Sequence, residues 1–148
     1  MKAFKFLFLL FFFLSGSILK AQVPYPQIEK LSIDDYLFVQ YCDDVADARR
    51  ALAAAKTGSE LPIRFYTYKA NSEDTIIKIA ARCSIPYDAI VTLNRIESVQ
   101  TDIAGRVLIL PTMPAVYLPE KAISSIEKLT EALFKKNKTE PLQIKIYG

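Results

Sequence analysis

The sequence predicts an α+β fold built around a small strand-helix-helix-strand unit, and three observations support that prediction. Two short apolar segments, 64–70 and 106–111, have the composition of strands, and the second closes on Pro111. Between them, apolar residues recur at intervals of three and four, the spacing of a buried helix face. The same spacing predicts a long N-terminal helix before the unit and a further helix after it, followed by a strand.

Two helices are predicted inside the unit. The first begins near Asp74, with Asp74 or Ser72 as its N-cap, and its apolar face comprises Ile76, Ile77, Ile79, Ala80 and Cys83. Pro86 cannot continue that helix but suits the first turn of a second one, which Asn94 would close. The apolar set of the second helix is Ala89, Ile90 and Leu93. The two strands are expected to pair antiparallel, with both helices on one face of the pair.

Residues 1–21 have the pattern of a secretory signal peptide. Lys2 and Lys5 precede an apolar run over 6–14, and cleavage is expected after Ala21. That run is too short to cross ~30 Å of hydrocarbon at ~1.5 Å per residue, although an uncleaved membrane anchor is the alternative. The protein is therefore predicted to be secreted, periplasmic or in the cell envelope, with no stable membrane anchor after cleavage.

The charge balance argues against a nucleic-acid partner. The signal segment carries Lys2, Lys5 and Lys20, and removing these three from the 19 basic residues leaves 16, equal to the 16 acidic residues. The net charge of +3 therefore belongs to the signal segment. Without a basic field, the remaining chain is expected to bind a neutral or mixed partner.

Residues 22–62 are predicted to form an N-terminal extension and an amphipathic helix. Asp34 and Asp35 mark the beginning of the helix, and Gly58 marks its end. Its apolar stripe comprises Leu37, Tyr41, Val45, Ala48, Leu52 and Ala55. The stripe is expected to pack against the central unit, and a coiled-coil dimer is the alternative.

Residues 113–148 are predicted to form a linker, a helix and a terminal strand. The helix carries Ile123, Ile126, Leu129, Ala132 and Leu133 at helical spacing. Lys135, Lys136 and Lys138 suit the negative end of the helix dipole, and an anionic polymer site is the alternative. After Pro141, a strand is predicted by the alternation of Leu142, Ile144 and Ile146.

Residues 63–112 resemble the lysin-motif (LysM) family. The positions that match its pattern, in order and with its spacing, are Tyr68, Asp74-Thr75-Ile76, Ile79-Ala80, Ile85, Asp88, Ile90, Leu93-Asn94, Ile103, Gly105, Leu108, Ile109 and Pro111. The loop after Asn94 is slightly longer than usual, Glu73 replaces a customary glycine, and Cys83 replaces a common aromatic residue.

The resemblance implies binding of N-acetylglucosamine glycans, in a groove between the loop after the first strand and the loop after the second helix. One wall would comprise Ala70, Asn71, Ser72, Glu73, Asp74 and Thr75, and the other Asn94, Arg95, Ile96 and Glu97. Ile96 would contact the acetyl methyl group. The implied partner is peptidoglycan or another N-acetylglucosamine polymer such as chitin, and no cofactor or metal is expected.

The residue types present argue against catalysis. The chain contains no histidine, so it lacks the usual ligands of a zinc peptidase and the usual base for a serine or cysteine nucleophile. Adjacent carboxylates such as Glu73 and Asp74 seldom face one another across a bond, and Asp74 is better interpreted as a helix cap. Cys83 is predicted to pack in the core, and a bridge to Cys42 is the alternative.

Three functions follow from these patterns. The first is a secreted, non-catalytic peptidoglycan-binding protein with a single groove, and hence without avidity of its own. The order of elements also resembles the leader half of lysostaphin-type zinc endopeptidases, and the unpartnered terminal strand then predicts a truncated targeting half. The third is an envelope scaffold that keeps the LysM fold without binding sugar.

Overall fold

The computed structural model of the chain describes residues 25–55, 60–137 and 141–146. Its elements are, in order, β1 (Gln27–Ile28), α1 (Tyr36–Ala54), β2 (Phe65–Lys69), α2 (Ile76–Cys83), α3 (Tyr87–Leu93), β3 (Val107–Pro111) and α4 (Ser125–Lys136). The α+β class and the strand-helix-helix-strand order of the central unit are confirmed. The predicted signal segment, Gly58 and Lys138 lie outside the described residues. Over the described ranges, no helix combines the length and the apolar character needed to cross a membrane.

A three-stranded sheet in the order β1-β2-β3 forms the centre of the fold. β2 and β3 pair antiparallel, as predicted, with Phe65 opposite Pro111. Side chains that alternate along these strands are buried in the core, namely Tyr66, Tyr68, Leu108 and Leu110. β1 pairs with β2 in parallel, and the Thr67 N–H donates to the Pro26 carbonyl at 2.9 Å. Periodicity cannot predict β1, because two residues are too few to alternate.

Helices α2 and α3 bury apolar side chains in the same core. The fully buried members are Ile76, Ile79, Cys83, Ala89 and Ile90. Ile77 was expected on this face but is half exposed, because consecutive helical residues point about 100° apart. Both cysteines are free thiols, so the bridge to Cys42 is not formed. Burial raises the pKa of the Cys83 thiol to about 12, which makes it an inert core residue.

Helix α1 packs on the sheet through a stripe that differs from the predicted one. The buried residues are Phe38, Tyr41, Asp44, Val45 and Ala48. The Tyr41 hydroxyl donates to the Pro111 carbonyl at 3.0 Å, and the ring meets Tyr66 edge to face at 5.3 Å. Leu52 and Ala55, predicted at the end of the stripe, are exposed, Leu52 in the last turn of α1 and Ala55 at its C-cap. The apolar stripe is thus used within the chain, as expected, rather than presented as a coiled-coil seam.

The predicted C-terminal helix is confirmed as α4, but the strand predicted after it is not formed. Ser124 and Glu127 make a capping box at the start of α4, and Lys135 and Lys136 lie in its last turn. Residues 141–146 have no regular secondary structure, and Leu142 is 65% exposed. A strand needs backbone partners, and at the outer edge of β3 the main chain of Ile109 is already bonded to the Asn94 side chain.

The N-cap of α1 also joins the helix to β1. Oδ1 of Asp35 accepts from the N–H groups of Leu37 and Phe38, while Oδ2 accepts from those of Glu29 and Lys30. These hydrogen bonds, led by that from Lys30, lower the pKa of Asp35 below its ordinary value of 3.8. The ionised carboxylate therefore stabilises the folded state.

We expect Asp35→Ala to lower the free energy of unfolding by about 1–2 kcal/mol at pH 7, as for the loss of an N-cap. Because the folded-state pKa is depressed, this stabilisation is present above pH 3.8 and is lost as the pH falls through the folded-state pKa. Urea unfolding from pH 7 down to about pH 2 measures the difference between wild type and variant, which should shrink on acidification. Asp34→Ala, at an exposed neighbour, is the control. An equal difference at every pH would contradict the capping role of the carboxylate.

Candidate functional site

The two loops of the predicted groove leave β2 and α3 and are each held by the strand pair. The first loop, 70–75, follows β2, and its backbone is bonded to the chain that enters β3: the Ala70 N–H donates to the Arg106 carbonyl and the Gly105 N–H donates to the Ala70 carbonyl. Gly105 has φ +73°, a left-handed conformation that favours glycine. The start of the first loop is therefore fixed by the two residues that precede β3.

A tyrosine, an aspartate and an asparagine shape the first loop. Oδ2 of Asp74 accepts from the Tyr68 hydroxyl at 2.6 Å and from the Asn71 N–H at 2.8 Å. The Asn71 side-chain amide donates to the Tyr68 hydroxyl at 3.0 Å, and the Asp74 N–H donates to the Asn71 carbonyl across a turn. Burial raises the pKa of the Tyr68 hydroxyl above its ordinary value, and the hydrogen bond to Asp74 raises it further by a smaller amount. The loop is thereby tied to a fully buried ring.

The interpretation of Asp74 as the cap of α2 is wrong. Thr75 is the N-cap, and its hydroxyl accepts from the Lys78 N–H at 3.2 Å. Asp74 lies one residue too early to reach that N–H and bonds back into the loop instead. The Lys78 ammonium donates to the Glu73 carbonyl at 2.8 Å, so α2 also holds the tip of the loop.

The second loop, 94–97, begins with the predicted C-cap of α3, Asn94. The Asn94 amide nitrogen donates to the carbonyls of Ile90 and Ile109, each at 2.8 Å, and its oxygen accepts from the Ile109 N–H at 2.7 Å. Because Ile109 is level with Thr67 in the sheet, the start of this loop lies on the order of 10 Å along the strand axis from Ala70. Arg95 then takes a left-handed conformation with φ 51°.

The ten predicted site residues fall into three groups in the structure. Ala70 and Ile96 are buried at 3% and 7% exposure and belong to the core. Polar groups of Asn71, Asp74, Thr75 and Asn94 are engaged in the hydrogen bonds above. Ser72, Glu73, Arg95 and Glu97 have exposed side chains. Ile96 therefore offers little side-chain surface for an acetyl methyl group.

Unpaired backbone donors are the main recognition groups left in these loops. Among the residues that the structure describes, the N–H groups of Ser72, Glu73 and Glu97 have no hydrogen-bond partner. Such N–H groups can donate hydrogen bonds to the hydroxyl and amide carbonyl oxygens of a neutral sugar. Because every residue except proline has a backbone N–H, the residue types alone do not show which N–H groups stay unpaired.

The described part of the chain contains no group of three or more His, Cys, Asp or Glu side chains that could hold a metal ion. A shallow depression of about 500 Å³ lies away from both loops, at the opposite end of β2, where Phe65 and Tyr66 contribute to its lining. The depression is therefore a separate feature from the predicted groove.

Comparison with known proteins finds no matching family model, no matching curated protein and no matching solved structure.

Proposed function

We propose that the protein is a secreted, non-catalytic peptidoglycan-binding protein that recognises N-acetylglucosamine glycan through the loops 70–75 and 94–97. The observation that carries the proposal is the pair of free N–H groups at Ser72 and Glu73, on a turn that is bonded to β2 and α2. The LysM resemblance supplies the ligand class. The strand-helix-helix-strand order with antiparallel strands agrees with that resemblance.

Rigidity of the turn supports a binding role. A ligand that bonds to a mobile loop loses affinity to the ordering of that loop, whereas a prearranged donor does not. The turn is held by the Tyr68–Asp74 bond on one side and by the Lys78 ammonium on the other. Recognition would then depend on main-chain donors. A single groove would bind short sugars weakly but would still retain the protein on a polymer.

The burial of Ile96 favours a second candidate, an envelope scaffold that does not bind sugar. With Ile96 in the core, the second wall lacks an exposed apolar side chain, and Arg95 and Glu97 present charges to solvent instead. A neutral glycan gains little from such a wall. The two candidates differ in whether the purified chain sediments with cell wall.

A proline substitution in the turn tests the proposal. The Asp74 N–H to Asn71 carbonyl bond makes Ser72 the second residue of a four-residue turn, a position at which proline is favoured. Ser72→Pro therefore keeps the turn and removes one free N–H. We expect wild type lacking residues 1–21 to sediment with purified peptidoglycan sacculi, and Ser72→Pro to bind about three- to tenfold more weakly, as for one lost hydrogen bond.

Ser72→Ala is the matched control, because it deletes the hydroxyl and retains the N–H. It should sediment like wild type, and thermal unfolding should show both variants folded. Equal binding by Ser72→Pro and wild type would remove this turn from the site. A wild type that stays in the supernatant at high sacculus concentration would contradict glycan binding and leave the scaffold function.

A further inference from the structure

The depression at the start of β2 has the chemistry of an anion site with an aromatic wall. Its lining includes Tyr25, Pro26, Gln40, Arg64, Phe65 and Tyr66. The rings of Tyr25 and Phe65 lie 5.6 Å apart at 54° and form a tilted apolar surface. Of the described residues that line the depression, Arg64 alone carries a charge.

Contacts with Asp44 and Thr112 position Arg64. Its guanidinium pairs with Oδ1 of Asp44, whose Oδ2 accepts from the Tyr66 hydroxyl at 2.6 Å. The Arg64 backbone N–H donates to the Thr112 hydroxyl at 2.9 Å. Asp44 is buried, and both of its carboxylate oxygens have partners within the protein, Arg64 and Tyr66. The Arg64 side chain, in contrast, is 59% exposed.

Most of the donors on Arg64 are unused. A guanidinium has five N–H donors in a planar fork, and the Arg64 side chain has no other acceptor than Asp44 among the described residues. The planar fork of a guanidinium matches the two oxygens of a carboxylate. Gln40 adds an amide that suits a peptide group, and the tilted rings suit a small aliphatic side chain.

We propose that this depression is a second binding site, which takes the carboxylate end of a short peptide. The Arg64 guanidinium binds the carboxylate, Gln40 bonds to the preceding peptide group, and the side chain next to the carboxylate packs on Tyr25 and Phe65. A carboxylate is favoured over a neutral sugar because it can accept charge-assisted hydrogen bonds from the guanidinium donors that Asp44 does not use.

The depression lies within reach of a polymer that is bound at the loop 70–75. Phe65 begins β2 and Ala70 directly follows its end, five residues later, so the two are separated by ~17 Å along the strand direction. A fully extended peptide of five residues spans about the same distance. A peptide branching from a glycan bound at 70–75 therefore reaches the depression, and occupying both sites on one polymer would strengthen retention. The source of the peptide rests on the proposed glycan function, but the carboxylate site does not.

The test is a chemical-shift titration of the chain without residues 1–21, which retains every described residue. The probes are N-acetyl-D-alanyl-D-alanine and its C-terminal amide. We expect the acid to shift the side-chain signals of Arg64 and Gln40 and the backbone signal of Phe65, and the amide to bind at least about tenfold more weakly, since it lacks the charge-assisted bonds. Equal binding of acid and amide would overturn the proposal, as would shifts confined to residues 71–75.

Four variants distinguish recognition by the positioned Arg64 side chain from a general effect of positive charge. Arg64→Gln should weaken binding of the acid about tenfold or more, and Arg64→Lys should be intermediate because it keeps the charge without the planar fork. Gln40→Ala leaves the Asp44–Arg64 pair intact and should weaken binding about threefold. Arg106→Gln, an exposed arginine beside Ala70, is the control and should bind as wild type does. Equal losses in Arg64→Gln and Arg106→Gln would overturn the assignment.

A parallel titration with the N-acetylglucosamine tetramer separates this site from the glycan proposal. Shifts at 71–75 with the tetramer and at Arg64 with the acid support both sites. If the acid binds and the tetramer does not, the carboxylate site stands and the glycan function fails. If the tetramer binds and the acid does not, the carboxylate site is overturned.

Discussion

Replacing Tyr41 by alanine should lower the free energy of unfolding by about 3–5 kcal/mol, the range found for truncating a buried aromatic residue. Tyr41 is fully buried, and its ring contacts Tyr66 and Phe38. The substitution leaves a cavity between α1 and the sheet and removes the partner of the Pro111 carbonyl. Since small domains have a total stability of about 5–15 kcal/mol, the loss should be plain in a urea unfolding curve.

Two further variants divide this loss into its parts. Tyr41→Phe keeps the ring and leaves the buried Pro111 carbonyl unpaired, so it should cost about 1–3 kcal/mol. Tyr36→Ala lies on the same helix at 77% exposure and should change stability by less than about 0.5 kcal/mol. A Tyr41→Ala protein as stable as Tyr36→Ala would mean that α1 does not belong to the cooperative unit of the central domain.

Replacing Asn94 by alanine should be nearly as damaging, by about 2–4 kcal/mol. Three hydrogen bonds disappear together, and the Ile109 N–H and carbonyl lose the partner that covers the outer edge of β3. An uncovered strand edge also pairs readily with other chains. We therefore expect a lower urea midpoint together with concentration-dependent association in size-exclusion chromatography with light scattering.

Asn137→Ala provides the matched control, because Asn137 is likewise the C-cap residue of a helix but is exposed. Its effect on stability should stay within about 0.5 kcal/mol. Asn94→Asp retains the acceptor for the Ile109 N–H but loses both amide donors, so it should also be destabilised. If Asn94→Ala unfolded at the wild-type urea midpoint and remained monomeric, the edge-covering role of Asn94 would be refuted.

The central unit was predictable because its signals are local. Apolar spacing in α2 and α3, the strand-like composition of β2 and β3, and Asn94 at the end of α3 are all patterns within a few neighbouring residues. Each such pattern reflects the backbone geometry of neighbouring residues, so the pattern can be recognised without knowledge of the rest of the chain. The α+β class follows from the same patterns.

The errors lie where a side-chain contact in the folded chain, rather than the local pattern, sets the outcome. Asp74 has the chemistry of a cap, yet the buried Tyr68 hydroxyl holds it in the loop. The predicted strand at 142–146 has the right alternation, but at the outer edge of β3 the main chain of Ile109 is already bonded to Asn94. The burial of Asp44, for which the sequence offered no prediction, likewise depends on Tyr66 and Arg64, which bond to its carboxylate.

The candidate sites show the same division between local and distant information. The loops 70–75 and 94–97 were expected as a site from the LysM resemblance, but the burial of Ile96 and the free N–H groups of Ser72 and Glu73 depend on how the helices and strands pack. Arg64 is an ordinary exposed residue in the sequence and becomes a positioned cation only when α1 brings Asp44 beside it. Periodicity records which face of an element is buried, whereas hydrogen-bond partners across the fold depend on tertiary packing that no local pattern contains.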